Sequence, residues 1–163
     1  QQLVIKKMFI DNTELGGTNL LVFDSDYTEV NGNNGFSNCL TMIEGLKNNN
    51  ENPILFHHFL WPNNKEDGLF EDLLGKMIPE EKYCVMECIE THLSCLASLK
   101  SHLPIKVPGI KDKINSYLYL FNQSTKQVER TYKNDFWHFD TAKCADLLVF
   151  KEFLLGFINP TST

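Results

Sequence analysis

The chain has 163 residues, a length that fits one domain with a single substantial core. Hydrophobic residues make up 42% and charged residues 22%, which excludes disorder, and no apolar run approaches the ~20 residues of a membrane span. A net charge of −6 excludes the global basic field of a passive DNA binder, but not a metal-dependent phosphodiesterase whose ions offset local acidity.

Residues 1–10 carry Leu3, Val4, Ile5, Met8, Phe9 and Ile10, a pattern that suits either a helix or a strand, and 11–17 then reads as a polar turn. Asn19 to Phe23, introduced by Gly16-Gly17, reads as a short strand covered on both faces. The run ends in Asp24 and Asp26. Side chains two apart on an extended chain point the same way, so these carboxylates are expected to converge at the strand's carboxyl end, where open α/β sheets bind ligands. Like charges held that close repel unless a cation or a proton sits between them. Magnesium, held by one or two carboxylates plus substrate phosphates, is the natural occupant. An acidic turn after a buried strand is the competing structural explanation.

Asn31 to Gly35 reads as a loop, and Ser37 or Asn34 as the cap of a helix through Phe36, Cys39, Leu40, Ile43 and Leu46. Asn48-Asn49-Asn50 ends that helix. Pro53 introduces a second strand, Ile54 to Trp61, which completes a right-handed βαβ unit. A further helix starts near Asp67 or Gly68 on the stripe Leu69, Phe70, Leu73, Leu74 and Met77. Asp67, Glu71 and Asp72 fall at its start, where the helix dipole alone is a sufficient reason for acidic residues.

The periodicity predicts another helix over Tyr83 to Leu99. Its Cys84, Cys88, His92 and Cys95 share one face but are strung out too far to wrap one zinc ion, so the cysteines are expected to be small buried hydrophobes. His57 and His58 are adjacent on a strand and face opposite ways, which gives them a core or rim role. After Pro104 and Pro108 comes a helix through Ile110, Ile114, Tyr117, Leu118 and Phe121. Near its start, Lys111 and Lys113 could reach a phosphate or form a solvated face. Asp140 or Thr141 is placed to cap a last helix with Cys144, Leu147, Leu148, Leu154, Phe157 and Ile158 inward. Five cysteines, an odd number, together with an amino terminus that lacks a signal-peptide pattern, point to a reducing cytoplasmic setting.

The segment from Phe59 to Leu74, containing Trp61-Pro62-Asn63-Asn64-Lys65-Glu66-Asp67-Gly68 and then Leu69-Phe70-Glu71-Asp72-Leu73-Leu74, resembles a family of bacterial Toprim-like proteins distantly related to overcoming-lysogenization-defect nucleases. Phe23-Asp24-Ser25-Asp26 matches the family's F-D-A-D stretch, which is followed by an Asn/Gly loop. Further matching blocks are Cys88 to Leu96, Lys111 to Leu118, Phe136 to Asp140 and Lys151 to Leu155, so the likeness covers nearly the whole chain in order.

The resemblance implies an α/β fold, a small and mainly parallel sheet flanked by helices, over a single domain of residues 1–163. It implies magnesium, or manganese in its place, on Asp24 and Asp26, with Glu71 as a further ligand and Asp67 as a weaker one. Lys113, or Lys111, is the matching lysine that steadies a phosphoryl group. The chain departs from the pattern at the first-strand glutamate, for which Glu14 in its polar turn is a poor substitute. Either the first strand lies outside this chain or the glutamate has been lost.

The leading expectation is therefore a magnesium-dependent domain that acts on phosphodiesters, a nuclease in defence or DNA processing, with nucleic acid as partner and no membrane. The alternative is a catalytically degenerate module that binds a nucleotide or a partner protein. A remote third reading, a secreted helical-bundle ligand, requires both apolar runs to be helix or loop and requires paired cysteines.

Overall fold

Two apolar runs separated by an amphipathic helix form the frame of the protein. The computed structural model describes residues 2–29, 32–48 and 54–158, with residues 2–6 described by backbone alone. The chain divides into two compact units, Gln1–Leu73 with Ala145–Thr163, and Leu74–Cys144.

In the first unit, helix α1 (Gln2–Glu14) precedes strand β1 (Leu20–Asp24), helix α2 (Phe36–Lys47) and strand β2 (His57–Trp61). β1 and β2 pair in parallel, with Leu20 opposite His57 and Asp24 opposite Trp61, so their carboxyl ends lie side by side. Helix α3 (Phe70–Lys76) follows β2, and helix α6 (Ala145–Ile158) returns the chain to this unit. The ambiguous first segment is helical and runs through 11–14, where a turn was expected.

β2 is buried on both faces because Phe59 and Leu60 point opposite ways and both are fully covered. On the Leu60 side, Ile43 and Phe56 pack with Phe9, Leu21, Phe23, Phe36 and Leu40. On the Phe59 side lie the rings of Phe150 and Phe153, with centroids 5.0 and 5.3 Å away, while Trp61 meets Phe150 at 4.5 Å and Phe70 at 4.9 Å. Burial of one such side chain contributes about 1.5–3 kcal/mol.

β1 is less enclosed than its apolar run suggests. Leu20 and Val22 each stay 37% exposed, because they share the face that the Leu60-side cluster of Leu21 and Phe23 does not cover. The buried Asn19 ties α1 to the strands, its amide donating to the carbonyls of Phe9 and Leu55 and to Thr13 Oγ1, each at 2.9 Å. The expected roles of Asn31, Asn49, Asn50 and Pro53, and of the Leu3, Val4 and Ile5 side chains, lie outside the described residues.

The second unit holds helix α4 (Tyr83–Leu99) and helix α5 (Ile110–Leu120), with short 3-10 turns at Glu80–Lys82 and Gln127–Glu129. Its core is Ile114, Tyr117, Leu118 and Trp137, all fully buried. The Tyr117 hydroxyl donates to the Phe136 carbonyl at 2.9 Å, and Trp137 Nε1 donates to the Thr131 carbonyl at 2.8 Å.

The mixed α/β character expected from the sequence is present, with a two-stranded parallel sheet among the described residues. Both runs that the helical-bundle reading needed as helix or loop contain strands, and all five cysteines are free. The cysteines correct another expectation. Cys84, Cys88 and Cys95 are exposed, and only Cys144 is buried. The reason is angular: α4 buries Met86 and Ile89, and at 100° per residue the three cysteines lie about 100–180° round the helix from them, on the side turned away. Among the described residues no helix is long and apolar enough to cross a membrane.

Candidate functional site

At the carboxyl end of β1 the chain leaves the strand and meets the start of α3. Asp24, the last residue of β1, accepts a hydrogen bond on Oδ1 from the Phe70 backbone N–H at 2.7 Å. An orphan donor of a helix's first turn is thereby satisfied from another element. Glu71 is the next residue of α3 and is only 3% exposed. Asp72 accepts from the Leu69 N–H at 2.7 Å, a local cap of the same helix, and from the Tyr27 hydroxyl at 2.5 Å on the same oxygen.

Tyr27 gathers these charges. Its phenol is pushed well above the ordinary tyrosine range, first by burial, then by the hydrogen bond to Asp72 and by the negative charges of Asp72, Asp24 and Glu71. Three carboxylates from two elements thus act on one hydroxyl, which keeps its proton. Sequence reasoning passed over Tyr27 and treated Asp72 as a dipole residue only. The available signal was the tyrosine that directly follows Asp24-Ser25-Asp26.

Asp26 does not extend the strand. Its φ is 57°, a left-handed conformation, so the alternation that would aim it alongside Asp24 ends at Asp24. Its backbone pairs instead with Gly68, each N–H donating to the other's carbonyl at 2.9 Å. Gly68 has φ of +150°, and a Cβ there would lie 2.9 Å from both Pro62 Cδ and Asp72 Oδ2, so glycine is required. The fully buried Ser25 completes this crossing, its hydroxyl accepting from Gly68 N–H at 2.8 Å and reaching the Trp61 carbonyl at 2.9 Å.

Asp67 is a clamp. Its carboxylate accepts from Thr28 Oγ1 at 2.6 Å, from the Thr28 N–H at 3.1 Å and from the Phe36 N–H at 2.7 Å. Those donors hold its carboxyl below the usual carboxylate range. The expected caps of α2, Ser37 or Asn34, are not used; Gly35 is the N-cap, and Asp67 supplies the acceptor from across the loop. Gly35 has φ of +99°, and a Cβ would come within 2.0 Å of Thr28 Oγ1. Cys39 lies near this second acidic group. Its thiol is raised first by burial and then by the charges of Asp26 and Asp67.

The four expected ligands are therefore distributed. Asp24 and Glu71 act on Tyr27 together with Asp72, whereas Asp26 and Asp67 act on Cys39. Among the described residues no three His, Cys, Asp or Glu side chains form a ligand group. Lys113 belongs to the second unit, where its ammonium pairs with the Glu90 carboxylate. His57 and His58 keep to the rim: the His57 ring packs 4.7 Å from that of Phe157, and His58 Nδ1 lies 3.4 Å from Lys47 Nζ. Asp140 caps a turn at Ala142 rather than α6.

A family model described as a protein of unknown function, DUF3226, matches residues 22–158, from within β1 to the end of α6. A search of curated proteins finds no match, and neither does a search of solved structures.

Proposed function

From the premise that this chain belongs to the DUF3226 family, we propose that the carboxyl end of its parallel pair is a Toprim-like, magnesium-dependent site that cuts phosphodiesters in nucleic acid. The observation that carries this reading is the Asp24–Phe70 hydrogen bond. It holds the strand-end carboxylate against the backbone of the residue just before Glu71.

The donor set suits a hard cation in part. Asp24 and Glu71 offer oxygen ligands from two elements, and magnesium is commonly held by one or two carboxylates plus substrate phosphates and water. Asp67 fits less well, because its oxygens already accept three hydrogen bonds. Asp26 is turned by its left-handed backbone, and the proposal keeps it at the margin. When bound, the ion supplies charge neutralisation at a phosphate and a water of lowered pKa. Asp24 and Glu71 orient that chemistry at the strand end. Tyr27 keeps its proton on Oη and directs it to Asp72, so it serves as a donor and not as a base. Lys113 pairs with Glu90 and receives no part in holding the ion.

A second reading, a catalytically degenerate module that binds a nucleotide or a partner protein, is motivated by the first-strand glutamate that this sequence does not match. Cleavage of single-stranded and plasmid DNA with magnesium or manganese separates the two. The nuclease reading expects ion-dependent cleavage that drops roughly 100-fold or more in Glu71→Gln. Equal cleavage by wild type and variant would overturn it, whereas nucleotide binding without cleavage would favour the second reading.

A further inference from the structure

Cysteine is among the most buried residue types, so an exposed row of cysteines calls for a reason. On α4, Cys84, Cys88 and Cys95 are all exposed, and His92 is exposed between them. At 100° per residue the four fall within an arc of about 80°. Cys84 and Cys88 are spaced i, i+4, which places their Cβ atoms about 5–6 Å apart. A disulfide needs about 3.5–4.5 Å between Cβ atoms, so the helix holds this pair too far apart to oxidise to each other. One soft ion, with metal–sulfur bonds of about 2.3 Å, bridges such a gap.

We propose that Cys84 and Cys88 form a two-thiolate bite for a zinc ion shared between two copies of this chain. Zinc in a closed site takes four ligands in a tetrahedron. One helix supplies two of them, and among the described residues no third His, Cys, Asp or Glu joins the pair. A two-fold axis through the ion lets a second α4 supply the same two sulfurs, giving a four-thiolate site. His92 and Cys95, on the following turns, stand outside this first pair. The thiols enter as thiolates, so each shared ion releases the protons of up to four thiols to solvent and changes no oxidation state. The inference is independent of the Asp24 and Glu71 site.

The test uses the full chain, reduced and metal-free, titrated with zinc chloride and with cobalt(II) as a spectroscopic stand-in, and followed by sedimentation velocity. The expected result is a zinc-dependent dimer and a thiolate-to-cobalt absorption band whose end point falls at one thiolate-bound ion per two chains, counted apart from any ion on carboxylates. Cys84→Ser and Cys88→Ser should each lose the band and weaken zinc-dependent dimerisation by at least tenfold, while His92→Ala and Asp24→Asn leave both unchanged. A dimer and band retained in Cys88→Ser would overturn the proposal. So would a thiolate-to-cobalt band that saturates at one ion per single chain, or no zinc-dependent association at all.

Discussion

The Asp24 carboxylate at the end of β1 accepts a 2.7 Å hydrogen bond from the backbone N–H of Phe70, the first residue of α3. This one contact links the strand end to the helix that carries Glu71 and Asp72. Asp24→Ala is expected to destabilise the protein by about 1–2 kcal/mol, the usual cost of a lost helix-capping acceptor. Asp24→Asn retains an oxygen acceptor and should lose less. Urea unfolding followed by far-UV dichroism measures both, and equal midpoints for wild type and Asp24→Ala would contradict the capping role.

Asp67 makes a pH prediction. Its folded carboxyl sits below the ordinary value of 3.8 because Thr28 and Phe36 donate to it. The unfolded chain therefore binds this proton first as pH falls. The stability contributed is full above the unfolded value and is lost as pH drops through 3.8 toward the folded value. Because Asp67 is exposed, solvent screening keeps the effect small. Asp67→Asn should flatten the acid limb of a stability–pH series, and an unchanged limb would contradict the clamp.

Two tyrosines govern the alkaline side. Burial pushes Tyr117 up to about 12, and Tyr27 is displaced in the same direction by burial and by its acidic neighbours. With both raised in the folded state, the unfolded chain ionises first. Stability should then fall as pH rises past 10, through the window up to about 12 for Tyr117. Tyr27→Phe should make the loss shallower, at the cost of the hydrogen bond to Asp72. Unfolding midpoints between pH 9 and 11 (roughly the tyrosine range) would show it, and parallel curves would contradict it.

β2, the α2 crossover and α5 were legible in the sequence because each carries an apolar pattern that burial then satisfies, whereas β1 and α4 form as expected but leave part of their pattern exposed. Phe59 and Leu60 illustrate this, since two adjacent apolar residues after the His57-His58 pair became the part of the strand buried on both faces. What failed depended on contacts distant in sequence. The cap of α2 comes from Asp67, 31 residues away, which no local cap pattern can show. The i, i+2 rule for Asp24 and Asp26 assumed an extended chain through both, and the left-handed Asp26 broke it. The exposed cysteines of α4 were misjudged because residue type suggested burial where the angular position, on the side of the helix turned away from Met86 and Ile89, did not. Tyr27 was missed because its role depends on Asp72, which reaches it only in the folded chain.

The central claim is that Asp24 and Glu71 together receive a hard divalent cation. Isothermal calorimetry of magnesium and manganese binding tests it most directly, with wild type compared with Asp24→Asn, Glu71→Gln and the double variant under matched, folded conditions. A titration present in the wild type, weakened in each single variant and lost in the double variant is the predicted result. Titrations of the same strength and stoichiometry in all four proteins would contradict it.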